Sequence, residues 1–189
     1  IPEIQQGDNL PQIICNCVKN ENIEINEKDI IVLTSKIVTK SLGLTRKTAD
    51  VKISPKAHKL AKKIGKDPVW VQLVFDTGHK IIAVLSMRGA IEKYVERNSH
   101  DPAMADYLCE KKSCLFLTRN PCGQLHTCDA GIDSSNHPQG EVGLIPDDPD
   151  EKAKQIRQEI QKITGKRIAL VMADTELTFY GTMDLALGC

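Results

Sequence analysis

Aromatic residues are scarce: one Trp, three Tyr and three Phe make up 4% of the 189 residues. A core here must rest on Ile, Val, Leu and Ala. Net charge is also missing, since 25 Lys and Arg meet 25 Asp and Glu. That balance argues against a nucleic-acid protein, which carries a basic excess or face, and against a polybasic membrane anchor. It leaves anionic small molecules open, because metals can supply positive charge. No apolar run approaches the roughly 18–20 residues that span a bilayer. The longest, Ile30–Leu33 and Ile81–Leu85, are strand-sized. The polar opening IPEIQQGDNL lacks a basic signal region. The chain starts at Ile1 and stops inside the apolar stretch GTMDLALGC, so both ends are expected to be incomplete. Neither CxxC nor GxxxxGK[ST], GxSxG, HExxH or GxGxxG occurs. The seven cysteines (Cys15, Cys17, Cys109, Cys114, Cys122, Cys128 and Cys189) are odd in number. Reduced thiols in cytoplasm are expected rather than a disulfide framework.

What is present is ordinary globular material, 41% hydrophobic and 26% charged. Proline marks the helices. Ser54-Pro55, Asp67-Pro68, Asp101-Pro102 and Asp148-Pro149 each set a capping side chain before a Pro suited to the first helical position. Gly65 and Gly165 are plausible terminators. Ala153, Ile156, Ile160 and Ile163 form one apolar stripe on the last helix. A further helix is expected over Leu10–Val18, capped by Asp8 or Asn9. Strands are expected at Asp29–Thr34, Lys80–Leu85, Leu115–Thr118, Gln124–Cys128 and Arg167–Ala173. The fold class is mixed α and β, read as one domain over 1–189, with 87–112 a surface insertion.

Two acidic positions follow strands: Asp133, in AGIDSSN, and Asp174-Thr175, directly after IALVMA. Carboxylates at strand ends face the crevice where ligands bind, and hard oxygen donors suit Mg²⁺ or Mn²⁺. Either could equally be a turn or cap. Thr34-Ser35-Lys36, with Thr39-Lys40, offers hydroxyls and ammonium groups to phosphate. Alone, such a segment is more often a solvated loop. His126 and Cys128 lack further zinc ligands at suitable spacing, so His126 reads as a packed or surface histidine.

In order along the chain, these pieces resemble the coenzyme F(420)-0:γ-glutamyl ligases. The segments are Ile1-Pro2-Glu3-Ile4 with its Gly7-Asp8, Ile31–Lys40 running into Ser41-Leu42-Gly43, Asp129–Asn136, Thr164–Thr175 and Gly181–Gly188. AGIDSSN is the most specific. The resemblance implies an α+β ligase-like fold, an interlocked homodimer and a GTP-dependent ligase. Such an enzyme adds L-glutamate to a deazaflavin acceptor through an acyl phosphate. It implies divalent Mn²⁺ or Mg²⁺, and a monovalent cation such as K⁺ as a further expectation. By position, the backbone at Ile1, Pro2, Glu3 and Ile4 meets nucleotide, as do Ser35, Lys36, Lys40 and Asn136. Asp133, Asp174 and Thr175 hold metal. The stretch Glu176-Leu177-Thr178-Phe179-Tyr180, expected to be a loop, holds no arginine where the family has several. Such a loop is poorly made for a phosphodiester. A different acceptor, a non-catalytic nucleotide-binding paralogue and a two-metal phosphohydrolase stay open as alternatives.

Overall fold

Three of the proline signals set helix starts as local chemistry dictates. The computed structural model describes residues 1–98, 101, 103, 106, 114–178 and 181–189. Ser54, Asp67 and Asp148 accept from backbone N–H groups at the starts of α3 (Pro55–Ile64), α4 (Pro68–Asp76) and α6 (Pro149–Thr164). Gly65 and Gly165 terminate α3 and α6 in the left-handed conformation. Helix α1 runs Leu10–Asn20 with Asn9 as its cap. The Asp101 carboxylate accepts from Ala103 N; Pro102, like His100 and Cys109, lies outside the described residues. Of the expected insertion, α5 (Arg88–Asn98) is described.

The chain forms two compact units, one of Ile1–Lys47 with Asp133–Cys189, the other of Thr48–Ile132. In the first, β1 (Ile30–Thr34), β7 (Ala169–Thr178) and β8 (Gly181–Gly188) form a sheet in the order β1-β7-β8. Strands β1 and β7 pair in parallel, Ile30 with Ala169 through Thr34 with Ala173. The core joins Leu10 and Ile14 of α1 and Ala153 and Ile160 of α6 to Leu33, Leu170, Met172 and Leu187 of the sheet. Helix α2 (Ser35–Ser41) follows β1 without a break, and β2 (Thr45–Lys47) pairs with β6 (Glu141–Gly143).

The second unit holds the antiparallel sheet β3 (Lys80–Ser86), β4 (Cys114–Arg119) and β5 (Leu125–His126), besides α3, α4 and α5. Fully buried Val71, Leu73, Val74 and Phe116 supply its core. Lys66 donates to Asp129 at 2.7 Å and to the Cys114 carbonyl at 2.8 Å, and Asp129 accepts from Phe116 N. His126 is buried and stacks on His79 with ring centroids 5.2 Å apart. The mixed α+β class stands, and no helix among the described residues is long and apolar enough to cross a membrane.

Three local expectations are corrected. The strand expected over Gln124–Cys128 shrinks to Leu125–His126, because Gln124 N is held in a turn by the Asn120 side chain and Asp129 turns left-handed (φ 52°). The strand expected to end at Ala173 continues to Thr178, since β8 supplies an antiparallel partner for each residue. The lysine segment after Thr34 is helical rather than a solvated loop. Its residues Ser35, Val38 and Thr39 are buried.

The apolar stripe of α6 is unevenly loaded: Ile160 is fully buried and Ile163 is 42% exposed. Ile160→Ala should cost about 2–5 kcal/mol, as for other buried truncations, and Ile163→Ala much less. Urea unfolding of the two variants checks this; equal losses would contradict the packing described.

Candidate active site

The parallel register decides where the chemistry lies. Thr34 pairs with Ala173, so the next residues, Ser35 and Asp174, emerge side by side. The Ser35 hydroxyl lies close enough to the Asp174 carboxylate to help lower its pKa. The turn into α2 buries Ser35, and Thr39 Oγ1 donates to the Leu144 carbonyl at 3.0 Å. Lys36 and Lys40, four apart, share one side of this helix. Lys36 Nζ lies 3.0 Å from Asp133 Oδ2, and Lys40 Nζ is bonded to Glu3 Oε1.

Asp133 reaches that lysine through an antiparallel bridge to Gly143, whose N–H donates to the Asp133 carbonyl at 2.8 Å. Its side chain closes an Asx-type turn, with Ser135 N donating to Oδ1 and Ser135 Oγ to Oδ2, both at 2.8 Å. A Cβ at Gly143 would stand 2.6 Å from His137 Nε2 and 3.0 Å from Thr39 Cγ2, so a larger residue there would have to displace the His137 ring. Asn136 is exposed in the left-handed conformation (φ 59°) just beyond this turn.

Strand alternation sends neighbours to opposite faces. Asp174 shares a face with Glu176, which is buried. Thr175 faces the other way, where its hydroxyl donates to Asp184 Oδ1 at 2.7 Å. Asp174-Thr175 therefore sits within β7, not after it, and Glu176-Leu177-Thr178 is strand, not loop. Phe179 and Tyr180 lie outside the described residues.

The two carboxylates are tuned in opposite senses. Burial raises the Asp174 pKa, the Asp133 and Glu176 charges add to it, and bonds from Thr175 N and Ser35 offset it only in part. Burial also pushes Asp133 upward, but the Ser135 N–H, Lys36 and the Ser135 hydroxyl outweigh it and hold its pKa low. Burial and the nearby Lys40 charge lower the His137 pKa.

Of the residues expected from sequence, the structure gathers Ser35, Lys36, Asp133 and Asp174. Thr175 turns away with Asp184. Ile1 is 65% exposed and Ile4 buried. Glu3, Ile4 and Lys40 instead line a cavity of about 220 Å³ with Gln6, Gly43 and His137. Sequence reasoning missed Ser135, whose signal was the Asp-x-Ser turn spacing, and Glu176 and Asp184, which only the β7–β8 hairpin brings in. Among the described residues, no group of three or more His, Cys, Asp or Glu is gathered to hold a metal. The donor set of two carboxylates with hydroxyls is nonetheless all hard oxygen, as Mg²⁺ or Mn²⁺ prefers. The mutual repulsion at Asp174 is what a cation there would relieve.

The family model described as F420-0:Gamma-glutamyl ligase matches residues 1–189. The chain belongs to this family. Among its relatives is a coenzyme F420:L-glutamate ligase of Methanosarcina mazei, 32% identical over 93% of this chain and 56% of the relative. A protein of the same name from Archaeoglobus fulgidus is 26% identical over 100% of this chain and 63% of its own length. One from Methanothermobacter thermautotrophicus is 27% identical over 93% of the chain and 59% of its length. The chain thus spans little more than half the length of these members of the F420-0:γ-glutamyl ligase family.

The opposite tuning gives opposite pH signatures in metal-free buffer. Asp133, with its pKa lowered, contributes stability above its unfolded pKa that is lost as pH falls through the folded value. Asp174, with its pKa raised, favours the fold below its unfolded pKa, and that contribution is lost as pH rises through the folded value. Asp133→Asn should therefore lower Tm at pH 7 and Asp174→Asn should raise it. Both differences should fade as the carboxylates protonate in acid. Calorimetry across that range checks the signs; shifts of the same sign at pH 7 would refute the assignment.

Proposed function

We propose that this member of the F420-0:γ-glutamyl ligase family is a GTP-dependent amide ligase that joins L-glutamate to a deazaflavin acceptor. The observation that carries the reading is the meeting of Ser35-Lys36 with Asp133 and Asp174, two carboxylates beside a phosphate-type donor set, in a chain whose relatives are named glutamate ligases.

In this reading the acceptor carboxylate attacks the γ-phosphorus of GTP. A bond forms to the carboxylate oxygen, the bond to the β-phosphate oxygen breaks, and GDP leaves. The amine of glutamate then attacks the acyl carbon of that phosphate, inorganic phosphate departs, and the amine sheds a proton to solvent. Lys36 and Lys40 hold phosphate oxygens by charge-assisted bonds, Ser35 adds a hydroxyl, and Asn136 with the Ile1–Ile4 backbone orients the nucleotide. Asp133 and Asp174 would hold a divalent cation, which when bound would neutralise charge on the transferred phosphoryl group; Thr175, on the opposite face of β7 with Asp184, would not join that set. The enzyme works as a homodimer. One observation favours a second reading, a different acceptor or a non-catalytic paralogue: residues 176–180 contain no arginine, the side chain suited to gripping a phosphodiester in two places.

Millimolar Mn²⁺ with GTP should raise Tm, because a ligand of the native state stabilises it, and Asp174→Asn should abolish the rise. Phosphate release from GTP should require both F420-0 and glutamate. Release without amine would indicate a phosphohydrolase, and a thermal shift without turnover would indicate a binding paralogue.

A further inference from the structure

Every oxygen of Asp133 is already engaged: Oδ1 accepts from Ser135 N, and Oδ2 from Ser135 Oγ and Lys36 Nζ. A divalent cation approaching Oδ2 competes with the ammonium there, since that oxygen already accepts two bonds. Lys36 cannot turn to a phosphate without leaving Asp133 beside the like-charged Asp174. The ion pair is about one third exposed on both sides, so it is worth little on its own and exchanges readily. A doubly charged ion in direct contact attracts a carboxylate oxygen more strongly than a monovalent ammonium at the same distance.

We infer that Lys36 is a stand-in cation for Asp133: divalent metal displaces it from Oδ2, and the released ammonium becomes available to the nucleotide phosphates. This deepens, and rests on, the ligase reading, in which Asp133 holds metal and Lys36 holds phosphate. It makes metal arrival the event that arms the lysine, so the Asp133 charge is compensated at every stage. Lys40, held by exposed Glu3, has no such dependence on a metal ligand.

The test titrates Mn²⁺ alone into chelator-stripped protein, with free Mn²⁺ read by electron paramagnetic resonance. Lys36→Met should bind Mn²⁺ at least about fivefold more tightly than the unaltered chain, the lower end of typical coupling between sites, and Lys36→Arg should not. Should Lys36→Met fail to fold, a second measurement on the unaltered chain carries the test. The rate of reductive methylation at Lys36, followed by mass spectrometry, should rise when Mn²⁺ is added, and the rate at Lys40 should not. Equal or weaker Mn²⁺ binding by Lys36→Met, or an unresponsive Lys36, would overturn the exchange while leaving the ligase reading intact. No Mn²⁺ binding by the unaltered chain at millimolar concentration would remove both.

Discussion

The parallel pairing of β1 with β7 is the constraint on which the candidate site depends. Its register ends at Thr34 opposite Ala173, and everything chemical is measured from that point. Ser35 enters α2 beside Asp174, Lys36 follows one residue later, and Asp133 is drawn to Lys36 from its bridge with Gly143. A slip of one residue would turn the buried set Leu33, Leu170 and Met172 outward. The core of the first unit therefore enforces the same alignment that assembles the polar cluster. Packing energy and site geometry are here one quantity.

Charge is handled locally rather than globally. A formal sum of zero says nothing of a place where two carboxylates and one lysine meet. There the protein compensates unequally. Asp133 receives an ammonium and two Ser135 bonds, while half-buried Asp174 has lesser compensation and feels both Asp133 and Glu176. Two chemically identical side chains are thereby given different proton affinities by their surroundings. An acidic site that must accept a cation benefits from such imbalance, because the uncompensated carboxylate is the one with most to gain.

What could be read from the sequence is what short-range chemistry decides. Ser54, Asp67 and Asp148 before proline marked three helices because a cap and its N–H donors lie within three residues. Arg167–Ala173 read as a strand because it is nearly all apolar, and β7 begins at Ala169. Helix α2 was not legible: it has seven residues, and Thr34 before it makes no side-chain cap. The extension of β7 through Asp174 and Glu176 was hidden by polar composition, since its cause is the partner strand β8. Asp133 and Asp174 could be singled out by position after expected strands, only the second of them apolar. Their partners could not, because Lys36 meets Asp133 only through tertiary structure.

The division of the chain has a consequence for its synthesis. The second unit is one continuous segment, Thr48–Ile132, whereas the first is made of two pieces lying on either side of it. On the ribosome, β1 emerges early and must wait for β7, with Ile30–Leu33 unpaired, while the second unit gathers its own local contacts. Pairings so distant along the chain close slowly, and domains generally condense in the order in which they are made. The polar cluster at Ser35, Asp133 and Asp174 accordingly forms only after the whole second unit has been made, and a nascent chain halted before Ala169 lacks the β1–β7 pairing on which the site depends.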